Sequence, residues 1–278
     1  MSAPRDTAPP QASSSDTKPS ASAEPYYVAT RHEIDIFDRC HRRGLPVLLK
    51  GPTGCGKTRF VEYMAWRLGR PLITVACHDD LSASDLTGRY LIRGGETVWI
   101  DGPVAVAART GAICYLDEVV EAREDTIVVI HPLTDDRKVL TVDKTGEVIV
   151  AAPGFQLVAS YNPGYQHAIK DLKPSTRQRF VSLEFDYPTD SVEAQIVSHE
   201  SGVKQTVAKS LVEVAHRVRR LRDQGLVEGP GTRLLVSAGR LIAEGIPARR
   251  ACEVAVAAAL TDDPDLLAAI GDIIDTTM

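Results

Sequence analysis

Apolar residues fall at two different spacings along this chain. In RHEIDIFDRCHRRG, Ile34, Ile36, Phe37 and Cys40 lie on helical spacing and the run stops at Gly44, which predicts an amphipathic helix with a glycine end. PVLLKG follows as a short, almost wholly apolar run, the pattern of a strand buried on both faces. TRFVEYMAWRLG sets Phe60, Val61, Met64 and Leu68 on one side of a second helix. PLITVAC, GAICYLDE and FQLVASYN are further apolar runs of strand length. Strands of this kind alternating with helices predict a parallel α/β sheet.

Two stretches interrupt that rhythm. LTGRYLIRGGETVWIDGP holds two strand-like pieces about Gly94 and Gly95, and RKVLTVDKTGEVIVAAPG two more about Asp143 to Gly146. Each predicts a hairpin set between core elements, in connections of a length that usually carries function. Beyond LEFDYPTD the spacing is helical. KSLVEVAHRVRRLRDQG places Leu211, Val214, Ala215, Val218 and Leu221 on one face, and TRLLVSAGRLIAEG and RRACEVAVAAALTDD follow as helices. A boundary near Pro188 then separates an α/β unit, residues 25–188, from a small helical unit, residues 189–278. Residues 1–24 are mostly Ser, Ala and Pro. They bury too little to offset their ordering entropy and are expected to be disordered.

Charge narrows the partners. The formal net charge is −5 over 278 residues, which gives no general attraction to nucleic acid or to an anionic membrane. The basic cluster HRVRRLR, His216 to Arg222, has apolar positions that fit a helix face, so its arginines read as a solvated face rather than a groove for DNA. No run approaches the length of a membrane span, and no apolar core follows the first charge at the N-terminus. Five cysteines, an odd number without a CxxC pair, read as reduced thiols of a cytoplasmic protein. Cys77-His78 before Asp79-Asp80 lacks a second ligand cluster at zinc spacing and reads as structural.

The chemistry starts between the first strand and the second helix. Gly51-Pro52-Thr53-Gly54-Cys55-Gly56-Lys57-Thr58 fits GxxxxGK[ST] at every fixed position. Its glycines let backbone N–H groups approach phosphates, and the following helix offers its positive end. Lys57 reaches β- and γ-phosphates, and the Thr58 hydroxyl is a ligand for Mg²⁺. AICYLDE then ends an apolar strand in two carboxylates. Asp117 suits the metal, and Glu118 suits a general base on water. Asn162, in SYNPG at the tip of the fourth strand, is placed to orient that water or sense the γ-phosphate. Arg177 and Arg179, in STRQRF, cannot easily reach their own chain's loop but could reach a neighbour's nucleotide in a ring. Arg233, in GPGTRLL, sits on the first turn of a helix and is placed to touch the γ-phosphate in cis. The NKxD of switch GTPases and the LSGGQ of transporter ATPases do not occur.

In this order the residues resemble a family. GPTGCGKT as Walker A, CYLDE as Walker B, Asn162 as sensor 1, STRQRF as a finger region and GTR as sensor 2 follow AAA+ order. The hairpins look like the helix-2 and pre-sensor-1 inserts of the MoxR branch. ITVACHDDLSASDLTGRYL, ICYLDEVVEAREDT, VVIHPLTDDRKVL and SYNPGYQ are similar to the CbbQ/NorQ/NirQ/GvpN group, over about Pro25 to Ile246. The resemblance implies an AAA+ P-loop NTPase, a parallel-sheet core followed by a helical lid, that hydrolyses ATP with Mg²⁺ as a homo-hexamer. It implies a von Willebrand factor A domain partner and a target enzyme to be remodelled, rubisco or nitric oxide reductase. Arg179, directly before Phe180, matches the family's trans finger best, with Arg177 in reserve. Two other readings compete, a nucleic-acid motor or loader and a nucleotide-binding adaptor that hardly hydrolyses. In a ring, the DKTG turn near Lys144 is expected to face the pore or the partner.

Overall fold

The computed structural model describes residues 23–163 and 172–278. The expected tail therefore lies outside the described residues except for its last two positions, as do Lys170 and Asp171 before the finger region. The strands are β1 (Val47–Lys50), β2 (Leu72–Ala76), β3 (Gly88–Arg93), β4 (Glu96–Asp101), β5 (Ile113–Asp117), β6 (Val139–Val142), β7 (Glu147–Val150), β8 (Gln156–Tyr161) and β9 (Val181–Glu184).

One sheet has the order β2-β5-β8-β1-β9, with every pair parallel. Its central strands are buried on both faces, which is why they read as unbroken apolar runs. Val47, Leu49, Ile113, Tyr115 and Val158 face Phe37 and the helix Lys57–Arg67, through Phe60, Val61 and Met64. The alternate residues Leu48, Cys114, Leu116, Leu157 and Ala159 face a second cluster with Val104 and Ile130. The order sets β5, β8 and β1 side by side, so the residues leaving their carboxyl ends meet at one edge. In open α/β sheets ligands bind at that edge. β9 is an addition to the strands expected from the apolar runs. It is an edge strand in which only Leu183 is buried, so its spacing carries little signal.

Both inserts are hairpins, β3–β4 and β6–β7, each antiparallel. Arg109, on the helix Pro103–Thr110, joins them: its Nε donates to Asp101 Oδ2 at 2.8 Å and its Nη2 to Glu147 Oε2 at 2.6 Å. Lys144 lies on an exposed turn.

After β9 the chain is helical: Asp190–Ser201, Gln205–Arg219, Thr232–Ala243, Ala248–Cys252 and Pro264–Thr277. These helices share a core running from Ala194 to Ile274, and the sheet clusters contain no buried residue beyond Phe185. One expectation is corrected here: the cluster His216–Arg222 is not wholly a solvated face. Arg217 pairs with Glu213 at the surface, but Arg219 turns inward. Four residues after buried Ala215, it lies beside the apolar stripe. There it donates to both oxygens of Glu193, at 2.8 and 2.6 Å. Glu193 is 0% exposed, and burying its charge requires such a partner. Arg219 also lies 3.8 Å over the Tyr187 ring and donates to Pro230 O.

No helix among the described residues is long and apolar enough to cross a membrane. The five cysteines are free and buried.

Candidate functional site

The loop Gly51–Thr58 leaves β1 and runs directly into the helix Lys57–Arg67, so the helix's unsatisfied first N–H groups lie at the loop. Gly51 permits a close approach that other residues would block: a Cβ there would lie 2.4 Å from Phe185 O. Lys57 is buried and folded back over the loop. Its Nζ donates to Gly51 O at 2.7 Å, Pro52 O at 3.0 Å and Asn162 Oδ1 at 2.8 Å. Asn162 Nδ2 donates in turn to Thr53 Oγ1 at 2.5 Å. Burial lowers the Lys57 pKa, against the opposing pull of nearby Asp117 and Glu118.

Asp117 finishes β5 at the same edge, and Glu118 follows it. Asp117 Oδ1 accepts from Tyr115 OH at 2.7 Å and from Ser160 Oγ at 2.6 Å. Ser160 Oγ accepts the Glu118 N–H at 3.1 Å. That bond helps hold Glu118 in the left-handed region, at φ 54°, which a residue with a side chain seldom adopts. Glu118 is exposed to the cleft. Partial withdrawal from water, followed by the Asp117 charge, raises its pKa.

Above these groups lies a cleft of about 580 Å³, within the usual range for small-molecule sites. One wall is Tyr26, Tyr27 and Val28, residues that no motif marks. Glu33 fastens this segment, accepting from Tyr27 OH at 2.7 Å, Thr30 N at 2.8 Å and Arg31 N at 2.8 Å. The helix Thr232–Ala243 also lines the cleft, through Thr232, Arg233 and Val236. Arg233 is exposed there. The turn before it rests on the loop itself: a Cβ on Gly231 would lie 2.6 Å from Thr53 O. Thr53 N–H donates to Glu228 Oε1 at 2.7 Å.

Thr53, Lys57, Thr58, Asp117, Glu118 and Arg233 thus line one cleft, and Asn162 is tied to it through its bonds to Lys57 and Thr53. Arg177 and Arg179 do not line it. Arg179 pairs with Asp135 at 3.5 Å. Tyr115 and Ser160 lie within the stretches CYLDE and SYNPG but have no assigned role there, and Glu228 lies outside every motif. Tyr115 alone had a legible signal, since a residue two before Asp117 on a strand shares its face. No group of three or more His, Cys, Asp or Glu suited to a metal occurs among the described residues. The hard oxygens of Thr58 and Asp117 still fit magnesium, which takes one or two protein oxygens and completes its shell with phosphate and water.

Residues 46–180 match the model of the AAA domain (dynein-related subfamily), and residues 193–277 match that of the CbbQ/NirQ/NorQ C-terminal region. The chain is 62% identical to protein CbbQ of Hydrogenophilus thermoluteolus, over 88% of this chain and 91% of that protein. It is 59% identical to the denitrification regulatory protein NirQ of Pseudomonas aeruginosa, over 91% and 97%. Among solved structures, a point mutant of RuvB from Thermotoga maritima matches with a TM-score of 0.54 at 15% identity, covering 88% of this chain and 69% of that one. At that identity the match concerns the fold: a parallel-sheet P-loop core with a helical region behind it.

Proposed function

This chain belongs to the CbbQ/NirQ/NorQ family of AAA+ ATPases, and from that premise we infer that its cleft hydrolyses ATP with Mg²⁺ in a homo-hexameric ring that remodels a target enzyme. The observation that carries the hydrolytic reading is the convergence of Lys57, Asp117, Glu118 and Asn162 at neighbouring strand tips.

Lys57 and the loop amides of Gly54 to Thr58 bind the β- and γ-phosphates. Thr58 and Asp117 would hold Mg²⁺, which neutralises charge on the phosphates when bound. In the described state Asn162 occupies Lys57 Nζ and braces Thr53. Incoming phosphate competes for that ammonium and frees Asn162 to orient water. Glu118 accepts the water's proton, and its raised pKa brings it nearer to working pH. Arg233 closes on the γ-phosphate from the helical side. Arg179, or Arg177, completes a neighbouring subunit's site, since neither lines the cleft of its own chain. The helical unit, residues 189–278, then acts as a lid on the core, residues 25–188.

A von Willebrand factor A domain partner and a target, rubisco or nitric oxide reductase, extend this reading. The relatives' names point both ways, CbbQ on one side and a denitrification regulator on the other, at nearly equal identity. We place the ring in the cytoplasm.

Glu118→Gln tests the hydrolytic step. ATP affinity should stay within a few-fold of wild type while turnover falls by about 10² or more, the usual contribution of a general base. Turnover by Glu118→Gln at the wild-type rate, or a wild-type ring that is idle even with its partner, contradicts the reading.

A further inference from the structure

We propose that the Tyr115 hydroxyl is a positioning group of the hydrolytic site, turning Thr58 and Asp117 toward the nucleotide-bound cation. The proposal rests on the ATP–Mg²⁺ reading above and adds a role for the Tyr115 hydroxyl, which the Walker B stretch CYLDE does not itself assign.

Tyr115 is 0% exposed, in the middle of β5. Its ring packs in the cluster with Phe60 and Met64, beneath the helix that carries Thr58. A phenylalanine would fill the same space, so packing does not explain the hydroxyl. That hydroxyl lies 2.7 Å from Asp117 Oδ1, 3.0 Å from Ser160 Oγ and 3.4 Å from Thr58 Oγ1.

Proton counting fixes the directions. A hydroxyl has one proton to give. Ser160 accepts from the Glu118 N–H and gives its proton to Asp117 Oδ1. The single Tyr115 proton goes to Asp117 Oδ1 at 2.7 Å, the nearer and charged acceptor, rather than to Ser160 Oγ at 3.0 Å. With that proton committed, Tyr115 can only accept across the longer 3.4 Å contact from the Thr58 hydroxyl. The outcome is a directed chain from Thr58 through Tyr115 to Asp117.

This chain has two consequences. The Thr58 proton is drawn toward the protein, which leaves its lone pairs for the cleft. Both described hydrogen bonds to the Asp117 carboxylate fall on Oδ1, leaving Oδ2 for the cation or its water. A cation held by so few protein oxygens depends on their preorientation. Tyr115 thus ties the phosphate loop to the acidic pair, and Ser160 ties that pair to the strand leading to Asn162.

Tyr115→Phe in the full chain tests this, with binding of a fluorescent ATP analogue measured with and without Mg²⁺. Affinity without metal should stay within about two-fold. The gain on adding Mg²⁺ should shrink by about 2- to 13-fold, the worth of one hydrogen bond of about 0.5–1.5 kcal/mol. Turnover should need correspondingly more Mg²⁺. Tyr115→Met, of similar reach without a hydroxyl, provides a second variant with the same expectation should the first fold poorly. A purely structural tyrosine would lower the melting temperature without moving the Mg²⁺ dependence. An unchanged Mg²⁺ gain in folded variants overturns the proposal and leaves the ATPase reading standing. A wild-type protein whose binding gains nothing from Mg²⁺ overturns that reading, and the proposal with it.

Discussion

Glu118 follows β5 in a left-handed turn, its N–H tied to Ser160 and its carboxyl beside Asp117. Partial desolvation and the adjacent carboxylate favour its protonated form. A base with a raised pKa is lost sooner as pH falls, so the acid limb of kcat/KM should lie higher than an ordinary glutamate would set it. Lys57 is shifted the other way by burial, so its charge is lost sooner as pH rises. Both limbs should therefore close inward, measured as a pH profile of kcat/KM corrected for the ionisation of ATP itself. Activity unchanged down through the ordinary glutamate range contradicts this assignment. The residues with fixed motif positions, Lys57, Thr58, Asp117 and Glu118, were legible because their chemistry depends on local spacing. Ser160 and Glu228 were not. Ser160 acts through cross-strand register between β5 and β8, and Glu228 meets Thr53 from 175 positions away.

At the scale of elements, the buried strands were legible and the less regular pieces were not. β1, β5 and β8 are buried on both faces and read as apolar runs. β9 buries a single residue, and the helix Asp190–Ser201 buries Glu193 and Ser201 beside Ala194 and Val197, so polar letters occupy its core face. That buried Glu193 also explains why the basic run before Gly225 misled: Arg219 is its partner. Glu193 accepts from Thr232 Oγ1 at 2.7 Å as well, and Arg219 donates to Pro230 O. Together they brace the turn that rests on Thr53. Arg219→Ala should cost about 3–5 kcal/mol, because it strands a buried carboxylate. Replacing both partners, Arg219→Met with Glu193→Leu, should recover most of that loss. Denaturant unfolding measures both, and a loss below about 1 kcal/mol for Arg219→Ala would place the pair among weak surface bridges.

For the whole molecule, the cleft is shared by the sheet edge, the Tyr26–Val28 segment and the helix Thr232–Ala243. On the proposed reading, a nucleotide bound there would touch elements on either side of Pro188, giving hydrolysis a way to move one against the other. Arg109 links both hairpins through Asp101 and Glu147. The cleft of a single chain lacks Arg177 and Arg179, and on this account the missing cation comes from a neighbour. Mixing two inactive variants tests that claim most directly. On this account Lys57→Ala should not bind ATP productively, and Arg179→Ala should not complete its neighbour's site. Each alone should lose nearly all turnover, while mixed rings should regain ATPase activity, because some interfaces then pair an intact loop with an intact finger. Mixtures no more active than the two variants measured separately, with Arg179→Ala and likewise with Arg177→Ala, would contradict a shared site.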